Sequence, residues 1–239
     1  MKTILITGSG KRLGRHLAIK FAEKGNNIIL HYNSSEKQAY ETKKLIENYN
    51  VKTLIYKANL ENIDEIQNFA DFIEKNELIP SILINNSAIF PLKSNLQNLT
   101  YNQWQKTLNI NLNSIFVLSK ILITKFSTIE KIVNIASLGA FHIWDERIDY
   151  NVSKAAVIQL TKAMARDLAP NIAVNSVSPS TIYFPNEAPS EPISLNEQKI
   201  PYKRFAYPDE VFEAVYFFSY CSNYITGQNI NVAGGLDLL

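Results

Sequence analysis

Short apolar runs and longer amphipathic stretches alternate along almost the whole chain. Runs rich in β-branched and aromatic residues at 3–7, 27–32, 53–58, 82–86, 131–136, 172–177 and 229–232 read as strands. Between them, apolar residues recur every three to four positions near 13–24, 36–49, 63–75, 100–126, 150–169 and 208–221, which predicts helices. Ile4-Leu5-Ile6 and Ile82-Leu83-Ile84 are apolar at every position, as strands of a parallel sheet covered on both faces must be. Gly25 and Pro170 stop the first and fifth helices. With right-handed crossovers, this order predicts an α/β fold. It is a single doubly wound parallel sheet of about seven strands, spanning 1–239, with helices on both faces.

Only about 180–207 lacks clear periodicity, and its prolines Pro185, Pro189, Pro192 and Pro201 oppose a helix. It follows a predicted strand, so it falls at the carboxyl edge of the sheet, where such folds bind ligands. A loop this long in a compact domain is usually functional. The segment is expected to be a substrate-binding lid, with a disordered insertion as the alternative.

Composition narrows the class. The chain has 239 residues, 46% of them hydrophobic, enough to build one sizeable core. The 24 basic and 22 acidic residues nearly cancel, giving +2, so no nucleic-acid partner is expected. A single cysteine, Cys221, cannot form an internal disulfide, which fits a reducing, cytoplasmic setting. No apolar run approaches the length of a membrane span, and Met1–Ile6 runs straight into a glycine turn, so neither a membrane anchor nor a signal peptide is expected. No second His or Cys lies at metal-ligand spacing from His142, and no metal is expected.

Thr7-Gly8-Ser9-Gly10-Lys11-Arg12-Leu13-Gly14 joins the first strand to the first helix, and its backbone amides suit a pyrophosphate. The second strand ends in Asn33-Ser34-Ser35, with no carboxylate before Glu36. An NAD site normally puts an acid there for the ribose hydroxyls. Cations at Lys11 and Arg12, with hydroxyls at Ser34 and Ser35, favour a 2′-phosphate and hence NADPH over NADH. Ser35 also reads as the N-cap of the second helix, with Gln38 completing a capping box.

Tyr150 and Lys154 stand four apart on a predicted helix and share a face, where an ammonium lowers a phenol's pKa. Ser137 closes a strand thirteen residues before Tyr150, where its hydroxyl can hold a substrate oxygen beside the phenol. The three make the chain an oxidoreductase candidate.

With these residues assembled, the chain resembles the short-chain dehydrogenases/reductases along essentially its whole length. The glycine turn, Asn85-Asn86-Ser87-Ala88, Asn111, Ser137, the Tyr150/Lys154 pair, Val174–Pro179 and Gly234-Gly235 carry the resemblance. It implies a Rossmann-type sheet, an NADPH/NADP cofactor and a homo-oligomer, tetramer or dimer. It also implies that Leu13, Asn59, Leu60, Asn86, Ser87, Pro179, Ser180 and Ile182 join Gly8, Lys11, Arg12, Gly14 and residues 33–35 around the cofactor. Tyr150 then donates a proton to the substrate, or orients it if a water donates. Lys154 holds the nicotinamide ribose, and Ser137 fixes the substrate. Asn111 supports a water linking Lys154 to solvent, or is a satisfied helix kink.

Within the family the chain is similar to the pteridine and dihydromonapterin reductases. Arg12 in the glycine turn, Phe90 after Asn86, and Pro179-Ser180 followed by Phe184 and Asn186-Glu187 carry that likeness. It implies a pterin-like substrate stacked on Phe90, touched by Arg12 and Tyr183. Ser137 departs from that subgroup, which commonly has aspartate there, and supports the alternative of a carbonyl or 3-oxoacyl-thioester reductase. A non-catalytic dinucleotide-binding regulator is a third reading, disfavoured by the complete Ser/Tyr/Lys set.

Overall fold

The computed structural model describes residues 1–185 and 196–238. The parallel strands are β1 (Thr3–Ile6), β2 (Asn27–Tyr32), β3 (Thr53–Lys57), β4 (Ile82–Asn85), β5 (Lys131–Ile135), β6 (Ala173–Pro179) and β7 (Asn229–Val232). They form one seven-stranded sheet in the order β3-β2-β1-β4-β5-β6-β7. The helices are α1 (Arg12–Glu23), α2 (Glu36–Ile46), α3 (Ile63–Lys75), α4 (Tyr101–Leu108), α5 (Ser114–Lys125), α6 (Ile148–Leu168) and α7 (Pro208–Tyr220).

The all-apolar strands are legible in the core. Ile4, Ile6, Ile28, Leu30, Ile82 and Ile84 face one layer with Phe21 of α1, Ile46 of α2 and Phe218 of α7. The intervening Leu5, Ile29 and Leu83 face the other, with Phe69 of α3, Leu118 and Leu122 of α5 and Ala165 of α6. Period-two alternation thus feeds two hydrophobic layers, each fully buried large side chain contributing roughly 1.5–3 kcal/mol. Chain order reverses at β1, which lies between β2 and β4, and the crevice at the carboxyl ends of these strands is where such a sheet binds ligands.

Three expectations change. The helix predicted at 100–126 is one 25-residue run, but a π-helical turn at Asn109–Asn113 divides it into α4 and α5. By length and hydropathy alone this run could cross a membrane, against the expectation that none could. Its polar residues are satisfied inside the domain instead: Thr107 donates to Asp149 and Asn85 donates to Ser119. The predicted capping box also fails. Ser35 makes no side-chain cap bond, because its hydroxyl lies against Gly10, where a Cβ would come within 2.4 Å of it. In the aperiodic segment, Ile182 and Ala206 form an isolated bridge and Glu197–Lys199 a 3₁₀ turn. Asn186, Glu187, Pro189 and Pro192 lie outside the described residues.

Candidate active site

The crevice is a cavity of about 440 Å³ that runs from the end of β2 to the start of α6. Its first wall is the glycine turn, with Gly8, Lys11, Arg12, Leu13 and Gly14. Gly8 takes φ +63°, a left-handed conformation open to glycine. A Cβ on Gly14 would stand 2.2 Å from the Gly8 carbonyl oxygen, so the first turn of α1 closes onto the loop. Asn86 fixes the same loop from β4, its amide donating to the Thr7 and Gly8 carbonyls at 2.9 and 3.3 Å. Asn86 and Ser87 also line the cavity. The N-cap Lys11 makes no side-chain cap bond to the amides that open α1 beside the cavity. Uncapped N–H groups at a helix N-terminus, beside Lys11 and Arg12, fit the phosphates of a dinucleotide.

Asn33, Ser34 and Ser35 after β2, Asn59 and Leu60 after β3, and Pro179, Ser180 and Ile182 at the end of β6 all line the cavity. Asn59 is partly committed, its side-chain oxygen accepting the Glu61 N–H at 3.1 Å. His31 lines this end too, although no sequence motif marks it. It is fully buried in β2, accepts the Gly8 N–H on Nδ1 at 3.1 Å and sits 3.0 Å from the Ala58 carbonyl through Nε2. Burial lowers its pKa to about 4, so the ring is neutral, with its proton on Nε2.

Ser137, Tyr150 and Lys154 line the opposite end. Ser137 follows β5, and its Oγ accepts the Gly139 N–H at 3.1 Å. A hydrogen bond between the Ser137 side chain and the Tyr150 phenol favours the phenolate. One expectation is corrected. Burial raises the Tyr150 pKa, opposed by the Ser137 bond and by the charge of Arg147. Lys154 does not lower it: its Nζ donates to the Ile135 carbonyl at 2.9 Å and lies 5.9 Å from the Tyr150 ring centre. Burial also lowers Lys154 itself, to about 8.

Asn111 sits in the π-helical turn, fully buried. Its amide exchanges two bonds with the Ile89 backbone, at 2.8 and 3.0 Å, and donates to the Ser153 Oγ. None of these bonds goes to Lys154. Asn111 pins the loop after β4 against α6 and so sets the residue that follows Ile89, which is Phe90.

The substrate-side expectations fare unevenly. Phe90 and Tyr183 do not line the cavity. The Phe90 ring stands edge-on to Tyr150, 4.7 Å between centres, while the Arg147 guanidinium covers it at 4.2 Å. The Arg12 guanidinium stacks on Phe184 at 4.6 Å. Tyr183 packs against Tyr207. Trp144 and His142, in the loop before α6, pack on each other, and Asn151 bonds the Trp144 backbone in both directions. Arg147 is the largest fully buried side chain among the described residues, at a position before a helix where a charged residue ordinarily reads as solvated.

The chain matches the family model described as Enoyl-(Acyl carrier protein) reductase over residues 8–237. It is 34% identical to the 3-oxoacyl-[acyl-carrier-protein] reductase FabG of Aquifex aeolicus, an alignment spanning 98% of this chain and 97% of that protein. Among solved structures, a short-chain dehydrogenase from Burkholderia cenocepacia in complex with NADP superposes with TM-score 0.90 at 25% identity, covering 99% and 98% of the two chains. Acetoin dehydrogenase from Enterobacter cloacae superposes with TM-score 0.88 at 26% identity, covering 99% and 96%. The chain belongs to the short-chain dehydrogenase/reductase family of oxidoreductases.

Proposed function

We propose that this protein is an NADPH-dependent reductase of a ketone carbonyl, with a 3-oxoacyl thioester as the preferred substrate class. The observation that carries the reading is the placement of Ser137, Tyr150 and Lys154 together at one end of a cavity whose other end fits dinucleotide phosphates. Bound NADPH supplies the hydride. Two hydroxyls converge on one point, so the substrate carbonyl oxygen takes a hydrogen bond from Ser137 and the proton from the Tyr150 phenol. Lys154, buried on the same helix as the phenol, holds a ribose hydroxyl of the cofactor. The relationship to the Aquifex reductase supports the thioester, and the NADP complex of the Burkholderia relative supports the cofactor.

A pterin-like substrate is the second reading. It is favoured by a half-exposed Phe90 beside Tyr150 and opposed by Ser137, and by the engagement of Arg12 with Phe184. Segment 180–207 as a substrate lid, a homo-oligomeric assembly and a cytoplasmic setting belong to the same proposal. Following NADPH oxidation with an acetoacetyl thioester and with a dihydropterin decides between the substrates. Thioester turnover with dihydropterin left untouched is expected; the reverse overturns the proposal.

A further inference from the structure

We infer that Arg147 is a positioning residue for the reaction, clamping Phe90 against Tyr150 so that the phenol ring is held in place. The inference rests on Tyr150 being the proton donor of the proposed reductase, but not on the identity of the substrate.

Two ring contacts and the ties of the surrounding loops converge on this arrangement. The guanidinium lies 4.2 Å from the Phe90 ring centre, and that ring meets Tyr150 at 87° with 4.7 Å between centres. Phe90 is therefore sandwiched between a cation and the catalytic phenol. An aromatic face attracts a guanidinium, and edge-to-face packing fixes the relative tilt of two rings. The loop that carries Phe90 is tied down on both sides. Asn111 holds the Ile89 backbone, and Ser94 donates to the Glu146 carbonyl at 2.8 Å and pairs with Arg147 in an isolated bridge. Glu146 adopts φ +56°, a left-handed conformation uncommon for a non-glycine residue, immediately before Arg147. The backbone is thus held in a costly shape where it presents this side chain to the site.

Arg147 also brings a charge. It is only 2% exposed, and it is one of two influences that favour the Tyr150 phenolate against burial. The groups around the phenol are Ser137 after β5, Lys154 on α6, Phe90 from the loop after β4, and Arg147. Asp149 is adjacent in sequence, but its carboxylate is taken by the Tyr150 backbone N–H and by Thr107 and Gln103 of α4.

The test is ultraviolet-difference titration of tyrosine, each protein being read against its own Tyr150→Phe counterpart, without substrate. In Arg147→Met the Tyr150 ionisation midpoint is expected to move to higher pH. In Arg147→Lys, which keeps the charge but not the planar stack, it should stay near the wild-type value. NADPH-dependent turnover should fall about ten- to a hundredfold in Arg147→Lys and in Phe90→Leu. The double variant should lose little more than either single one, because the two residues act as one unit. An unmoved midpoint in folded Arg147→Met, or additive losses in the double variant, overturns the inference. If Arg147→Met does not fold, the Arg147→Lys/Phe90→Leu cycle decides alone. Absence of thioester turnover would defeat the substrate reading while leaving the tyrosine titration to stand on its own.

Discussion

The Nδ1 atom of His31 accepts the Gly8 N–H at 3.1 Å, coupling a buried imidazole to the turn that faces the cofactor cavity. A second proton on the ring would sit on Nδ1 and oppose that N–H, donor against donor, in a desolvated place. Burial lowers the folded-state pKa to about 4 from 6.5. The unfolded chain therefore binds the extra proton first. The stabilisation is complete above about 6.5 and is lost as pH falls through 4, with a ceiling on the order of 3 kcal/mol. Thermal melts from pH 7 to 4 are expected to show this loss, and His31→Gln should flatten the dependence. A wild-type slope unchanged in the variant would assign the acid sensitivity elsewhere.

Gly14→Ala is expected to disrupt the cofactor end more than any surface change. The added methyl would meet the Gly8 carbonyl oxygen at 2.2 Å and the Asn86 amide at 2.6 Å, both parts of a hydrogen-bonded turn. Backbone cannot yield as a flexible side chain does, so the turn must open. Dinucleotide binding should weaken by tenfold or more, about 1.4 kcal/mol, together with a lower melting temperature. Fluorescence titration with NADPH reads the first effect and calorimetry the second.

Much of the fold and part of the site could be read directly from residue order. Ile4–Ile6 and Ile82–Ile84 disclosed a two-faced parallel sheet because every position was apolar, and Gly8 and Gly14 located the phosphate turn. Ser137, Tyr150 and Lys154 were legible because their spacing is local to one strand end and one helix turn. What stayed hidden depends on contacts between distant segments. His31 sits inside an otherwise apolar strand, and only its bonds to Gly8 and Ala58 explain it. The π-helical turn at Asn109–Asn113 follows from Asn111 reaching Ile89, 22 positions earlier, which no periodicity reports. Arg147 meets Phe90 only once two loops have been brought together.

Arg12 links strain to cofactor selectivity. It is a non-glycine residue at φ +50°, its guanidinium on Phe184 and its backbone in the glycine turn. Arg12→Gly should relieve the backbone while removing a cation from the cavity, so the melting temperature should hold or rise as NADPH binding weakens. Lys11→Glu should act on selectivity alone, narrowing an NADPH-over-NADH preference expected to be at least tenfold. Paired titrations of both cofactors check this; equal affinities in the wild-type protein would remove the phosphate argument drawn from Lys11, Arg12 and residues 33–35.

Carbonyl reduction should decline on the alkaline side in an order set by Lys154. Its burial lowers the pKa to about 8, whereas burial raises that of Tyr150, so the lysine loses its proton first as pH rises. Below about 8 both groups are protonated: the phenol can donate and the ammonium can hold the cofactor ribose. Above it the ammonium is lost while the phenol still holds its proton, so turnover falls before Tyr150 titrates. Lys154→Arg should move this limb to higher pH at reduced rate, because a guanidinium stays charged but cannot reproduce the bond to Ile135. Tyr150→Phe should lose about 10²–10⁴ in rate at every pH. Profiles of kcat/KM between pH 6 and 10 measure both effects. A limb that stays fixed in Lys154→Arg would show that another group sets it, and near-normal turnover in Tyr150→Phe would move the proton donor to a water.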